Sequence, residues 1–199
     1  DSDLARLLPQ FKRWYSQAGT PRLKTTGQYD AAARTYTLTL DQSCPPTPGQ
    51  ASKEPFVIPV ALGLLDANGA ALPLQLAHWD KAETDARVFV LTQASETLSF
   101  INVDAEPVPS ILRGFSAPVV LDFNYSDDQL LALLAFDTDP FNRWEAGQRL
   151  ALRSAINFIA TSAHPAGAEV LNGAYIEAMR SVLRHPTLDA AFKELVLTL

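Results

Sequence analysis

At 199 residues, with 47% hydrophobic and 19% charged side chains, the chain is long enough for one large domain or two small ones with a working core. A formal charge of -6, from 22 acidic and 16 basic residues spread along the chain, excludes the basic stripe of a nucleic-acid or anionic-lipid binder. No apolar run approaches the roughly 20 residues that span a bilayer, and Cys44, the single cysteine, has no partner for an internal disulfide.

The chain opens on Leu4, Leu7, Leu8, Phe11, Trp14 and Tyr15 at helical spacing, with Lys12, Arg13 and Gln17 between them. Pro9 falls inside this pattern, which predicts a loose first turn and then a helix from about Pro9. Gly19 and Pro21 end it. DSDLARLLPQ lacks the basic region and apolar core of a signal peptide.

From Pro21 to Tyr125 the period shortens to two, the signature of half-buried strands. Tyr36, Leu38 and Leu40 point one way and Thr35, Thr37 and Thr39 the other, after a turn over Asp30–Ala33. Residues 43–55 carry four prolines and read as an exposed loop. Phe56–Leu65 is a strand whose Pro59 predicts an edge or a bulge. Asn68-Gly69 predicts a hairpin with positive φ at both turn positions. Arg87–Gln93 and Thr97–Val103 form a further pair of short strands. In the last strand Val119, Leu121, Phe123 and Tyr125 share one side. Seven or so short strands with a turn about every ten residues predict an immunoglobulin-like antiparallel β-sandwich, without the Cys…Trp…Cys hallmark of antibody domains.

Ser126 begins an α-helical segment, with Gln129 three residues later completing a capping box. Asp139-Pro140 starts a second helix, with an apolar side from Trp144, Leu150, Ala151, Ile156, Phe158 and Ile159. Pro165 and Gly167 break it. A third helix covers about Ala168–Leu183, ended by His185-Pro186, and a fourth begins at Thr187. The apolar end KELVLTL would leave leucines facing water, and is read as an artificial cut.

No catalytic or metal-binding set emerges. His78, His164 and His185 have no second histidine within a helical turn and no Glu directly after them, so an HExxH zinc helix is absent. His164 and His185 precede prolines and read as helix ends. Cys44, in SCPPTP, has no basic neighbour to lower its pKa and reads as an inert loop thiol. Asp137-Thr138-Asp139 has the form of a metal-binding DxD pair, but acidic residues at a helix start are explained by capping. Glu145 and Arg149 are spaced for an exposed ion pair. Asn124-Tyr125-Ser126 matches a glycosylation sequon, which matters only in a secretory eukaryotic setting. Phe11, Trp14 and Tyr15 read as a helix side packed on a neighbour rather than a ligand face. No glycine-rich phosphate loop or GxSxG elbow occurs.

Three strings go further: FKRWYSQAGTPRL (11–23), LRGFSAPVVL (112–121) and DPFNRWEAGQ (139–148). With them the chain resembles the aminopeptidase N family of zinc metallopeptidases, in its bacterial alanyl aminopeptidase branch. The resemblance covers essentially the whole chain. It implies residues 1–20 as the helix that ends the catalytic domain, 21–125 as the immunoglobulin-like sandwich, and 126–199 as the first helices of a truncated C-terminal helical domain. It also implies zinc in the parent protein, held by an HExxH helix and a later acidic residue, with a GxMEN loop for the substrate's amino terminus. None of these motifs occurs here, so the resemblance carries over no catalytic, cofactor-binding or metal residue.

The resemblance implies a non-catalytic spacer and partial helical lid of an enzyme that removes N-terminal residues from peptides, inactive by itself. Its partners would be the missing catalytic and C-terminal helical domains, and the parent's peptide substrates, with no nucleic acid and no membrane. Cysteine usage leans to a cytoplasmic setting. The rival reading is a stand-alone β-sandwich that binds a protein or glycan, through a cluster around Trp79 or the proline loop. An independent hydrolase has no triad to support it.

Overall fold

The computed structural model describes residues 3–78, 86–160, 171 and 173–198. They divide into two compact units, one of residues 1–64 and 71–124, the other of residues 65–70 and 125–199. The helix break expected at Pro165 and Gly167, the start of the third helix at Ala168, and the side chains of Trp79 and His164 lie outside the described residues.

The first unit opens with α1 (Asp3–Phe11) and α2 (Arg13–Ser16). Pro9 lies inside α1 rather than at the head of a helix. It removes one interior hydrogen bond, yet the helix continues for two residues and breaks at Lys12, whose N–H still bonds the Leu8 carbonyl at 3.0 Å. Eight strands follow: β1 (Arg22–Asp30), β2 (Thr35–Ser43), β3 (Ile58–Leu65), β4 (Ala71–Leu72), β5 (Arg87–Leu91), β6 (Ser95–Phe100), β7 (Val108–Ile111) and β8 (Val120–Asp122). One sheet has the order β6-β2-β1-β8; in the other, β3 pairs with β4, β5 and β7.

The alternation read from the sequence places the core. Tyr36, Leu38 and Leu40 of β2 and Leu23 of β1 are buried with Ile58, Val60, Leu62, Phe89 and Leu91 of the facing sheet. β1–β2, β2–β6 and β3–β5 are antiparallel, whereas β8 runs parallel to β1, with Arg22 opposite Val120.

Three local expectations change. Pro59 lies in an inner strand, opposite Val90; as the second residue of β3 it stands close to the strand start that tolerates a missing N–H. β5 and β6 are not partners: β5 joins β3 and β6 joins β2, so the chain changes sheets between them. The Glu96 carboxylate holds that corner, accepting the Thr92 and Gln93 N–H groups at 2.6 and 3.0 Å. The third change belongs to the 65–70 segment of the second unit. There only Gly69 has positive φ, at 82°. The turn is built on Asp66, whose carboxylate accepts the Asn68 and Ala70 N–H groups, both at 2.8 Å, which frees Asn68 from the left-handed region.

The second unit also contains α3 (Asp127–Phe136), α4 (Pro140–Ala160), α5 (Gly173–Arg184) and α6 (Ala190–Leu197). Ser126 and Gln129 form the expected reciprocal capping box. Leu130, Leu133 and Leu134 of α3 are buried with Ala146, Leu150 and Ala151 of α4. Gly147 faces the Leu134, Met179 and Val196 side chains, where a Cβ would meet only ordinary van der Waals contact at 3.4–3.9 Å. The apolar side expected along all of α4 is buried only in its first half; Ile156 and Ile159 are exposed. The fourth helix starts later than Thr187, because Asp189 is its cap, accepting the Ala191 and Phe192 N–H groups.

Candidate functional site

The residues with chemical potential are dispersed, and most have structural duties. Among the described residues no three His, Cys, Asp or Glu side chains gather as a metal site requires. His78 is exposed. His185 follows the last residue of α5, and its Nδ1 meets the Thr187 N–H at 3.4 Å. Cys44 is half-buried beside the Ala18 carbonyl, 3.7 Å away. It lines a small cavity of about 210 Å³ with Gln42, Lys53 and Glu54, where the Lys53 amine is held by the Thr47 hydroxyl and the Gln50 side chain.

The Asp137-Thr138-Asp139 segment is a helix junction. The Asp139 carboxylate accepts the Asn142 N–H at 2.9 Å, which caps α4, and Asp137 accepts the Asp139 N–H at 2.9 Å. Arg143, only 3% exposed, reaches back from α4 to the end of α3. Its Nε donates to the Leu134 carbonyl at 3.0 Å and a terminal nitrogen to the Ala135 carbonyl at 2.8 Å. Burial pushes the guanidinium pKa down, and the Asp137 charge opposes that. One side chain thus satisfies carbonyls that every helix end leaves open. Sequence reading found the cap but missed this arginine, whose cue was only its spacing behind Asp139.

In the sandwich unit the corresponding device is Gln42. Its amide nitrogen donates to the Phe56 and Gln93 carbonyls at 3.0 and 2.8 Å, and its oxygen accepts the Phe56 N–H at 2.6 Å. It ties the end of β2 to the approaches of β3 and β6. Sequence reading missed Gln42, which continues the inward-facing series of Tyr36, Leu38 and Leu40 by one more step of two.

The aromatic trio divides. Trp14 packs on Phe56 with ring centroids 4.8 Å apart, as expected of a helix side, while Tyr15 is 83% exposed and meets Phe11 edge to face. Glu145 and Arg149 form the expected ion pair at 2.8 Å, and Arg149 also lies over the Tyr125 ring. Asn124 of the sequon is exposed, and Ser126 is occupied as a helix cap. The 43–55 loop offers no aromatic side chain for a ligand. In the helical unit α3 and α5 border an open groove of about 370 Å³, floored by Ala132, Ala135, Ala174 and Ala178. No described helix is long and apolar enough to cross a membrane.

The family model described as a domain of unknown function (DUF3458) with an Ig-like fold matches residues 19–124. A second, described as DUF3458_C with ARM repeats, matches residues 127–199. Aminopeptidase N of Haemophilus influenzae is 38% identical over 196 residues, which is 96% of this chain and 22% of that protein. Aminopeptidase N of Escherichia coli is 38% identical over 193 residues, again 96% of the chain and 22% of the relative. The Caulobacter vibrioides protein of that name is 43% identical over 194 residues, 98% of the chain and 21% of the relative. Among solved structures, Legionella pneumophila aminopeptidase A in complex with aspartic acid superposes with a TM-score of 0.76 at 26% identity, over 96% of this chain and 20% of that one. The chain therefore spans about a fifth of the length of the relatives it matches.

Proposed function

Because the chain belongs to the DUF3458 family of Ig-like domains and is homologous to aminopeptidase N over nearly its whole length, we propose that it is a non-catalytic spacer and partial helical lid of a zinc aminopeptidase. The observation that carries this reading is the alignment itself. Some 96–98% of the chain is accounted for by 21–22% of each relative, which leaves the greater part of those proteins to hold the chemistry.

In this reading residues 1–20 are the end of the catalytic domain, 21–125 are the sandwich and 126–199 begin the helical domain. The sandwich is the rigid body and the helices help close the cleft, excluding water and limiting which peptides reach the zinc. Zinc and the residues that bind it belong to the rest of the parent, which acts in the cytoplasm on peptide amino termini. The described residues give the proposal its support in kind. Asp137, Asp139 and Arg143 are engaged with backbone groups, and His185 stands at a helix end.

The test is an aminoacyl-anilide assay on this chain with and without added zinc, alongside a zinc titration by calorimetry. The expected result is no turnover and no stoichiometric binding. Release of the chromophore by the chain alone would overturn the proposal.

A further inference from the structure

The family model begins at residue 19, and the resemblance assigns residues 1–20 to a preceding domain. The hydrogen bonds point elsewhere. Trp14 donates its indole N–H to the Val57 carbonyl at 2.8 Å, and Arg13 donates to the Pro55 carbonyl at 2.6 Å. Gln10 donates to the Pro55 and Thr92 carbonyls at 3.1 and 2.6 Å. Gln17 makes a reciprocal pair with the backbone of Glu54: its nitrogen donates to the Glu54 carbonyl at 2.9 Å and its oxygen accepts the Glu54 N–H at 2.7 Å. From the other side, the Gln50 oxygen accepts the Ala18 N–H and its nitrogen donates to the Ser16 carbonyl, both at 2.8 Å. An Arg13–Glu54 ion pair at 2.7 Å closes the set.

We propose that α1 and α2 are a strap fastened to the sandwich, so that the helical pair and the sheets move as one body with no hinge between Ser16 and Pro21. The side chains bind backbone groups at two separate places, the 54–57 approach to β3 and Thr92 after β5. A single attachment would leave a rotation free; two attachments at separate segments remove it. The Trp14 ring packs on Phe56 beside the part-buried bonds of Gln10, Arg13 and Trp14, adding an apolar contact to the attachment. In the spacer reading above, the strap would fix the direction in which any polypeptide joined ahead of the helices meets the sandwich. That consequence rests on the spacer reading; the strap itself does not.

Amide hydrogen exchange on the full chain tests it, because protection reports local opening. The N–H groups of Lys12, Gln17 and Ala18 are expected to exchange as slowly as those of β2 under native conditions. The double variant Arg13→Ala/Gln17→Ala is expected to speed their exchange at least tenfold while β2 amides stay protected. Exchange of these amides at loop rates in the unaltered chain would overturn the strap, and so would unchanged protection in a folded double variant. If the double variant does not fold, the unaltered chain decides alone, with full protection supporting the strap and loop rates refuting it. No readout uses peptidase activity, so failure of the spacer reading and failure of the strap are separable.

Discussion

Replacing Arg143 with Met is the sharpest test of the helical unit. The substitution keeps much of the side-chain bulk and removes the guanidinium. Two carbonyls at the end of α3, those of Leu134 and Ala135, lose donors at 3.0 and 2.8 Å, and the fully buried Asp137 loses a neighbouring positive charge. A buried acceptor left without a partner costs about 1–3 kcal/mol, and removing one member of a buried charged set costs about 3–5 kcal/mol. We expect a loss of about 4 kcal/mol, in the range these two effects define together. Urea unfolding followed by far-ultraviolet circular dichroism measures it, provided the slope is unchanged. Adding Asp137→Asn should recover part of the loss, because the uncompensated carboxylate is then gone, and a double-mutant cycle isolates that coupling. A loss below about 1 kcal/mol for Arg143→Met would refute the reasoning, since it would mean that the freed carbonyls find water or relax at little cost.

Three further outcomes concern the sandwich unit. Gln42→Leu should destabilise by about 3 kcal/mol, because two carbonyls and one N–H lose their partner at once; a loss no larger than a surface substitution in the same unfolding experiment would contradict it. Thr25→Val should raise stability by about 1 kcal/mol, since the Thr25 hydroxyl is buried without a hydrogen bond; a lower unfolding midpoint would count against this. Burial, and secondarily Glu106, pushes the Tyr36 phenol well above its ordinary value of 10.0. A raised folded pKa means stability present below pH 10 and lost as pH rises from there toward the folded value, because only the unfolded chain ionises readily. Stability measured against alkaline pH should therefore fall, and Tyr36→Phe should flatten that fall.

The parts legible in the sequence were those set by periodicity and local backbone chemistry. Alternation located Tyr36, Leu38 and Leu40 in the core, and the Ser126–Gln129 and Asp139-Pro140 helix starts are where their capping chemistry puts them. What escaped depends on tertiary pairing. Nothing local to residues 87–103 says that β5 and β6 join different sheets, because register is a property of partners rather than of a strand. Pro59 misled for the same reason, its edge preference being a tendency that its place near the start of β3 accommodates. Asn68-Gly69 misled because Asp66, two residues earlier, supplies a carboxylate that holds a different turn. Ile156 and Ile159 fit the helical period of α4, but periodicity cannot say how far along a helix a partner extends.

The strings that carried the family resemblance turn out to be those in which side chains satisfy backbone groups. In FKRWYSQAGTPRL, Arg13, Trp14 and Gln17 bind the 54–57 segment. In LRGFSAPVVL the backbone enters the left-handed region at Leu112, Gly114 and Phe115, and the Ser116 hydroxyl accepts the Ala61 N–H at 2.9 Å. In DPFNRWEAGQ, Asp139 and Arg143 close one helix and open the next. Where the partner is buried, as at Asp139 and Arg143, substitution is costly, because the side chain answers a donor or acceptor that would otherwise be left open. A family can therefore be recognisable along stretches whose side chains hold backbone geometry. On the spacer reading proposed above, the reacting groups are to be sought in the part of the relatives that this chain does not cover.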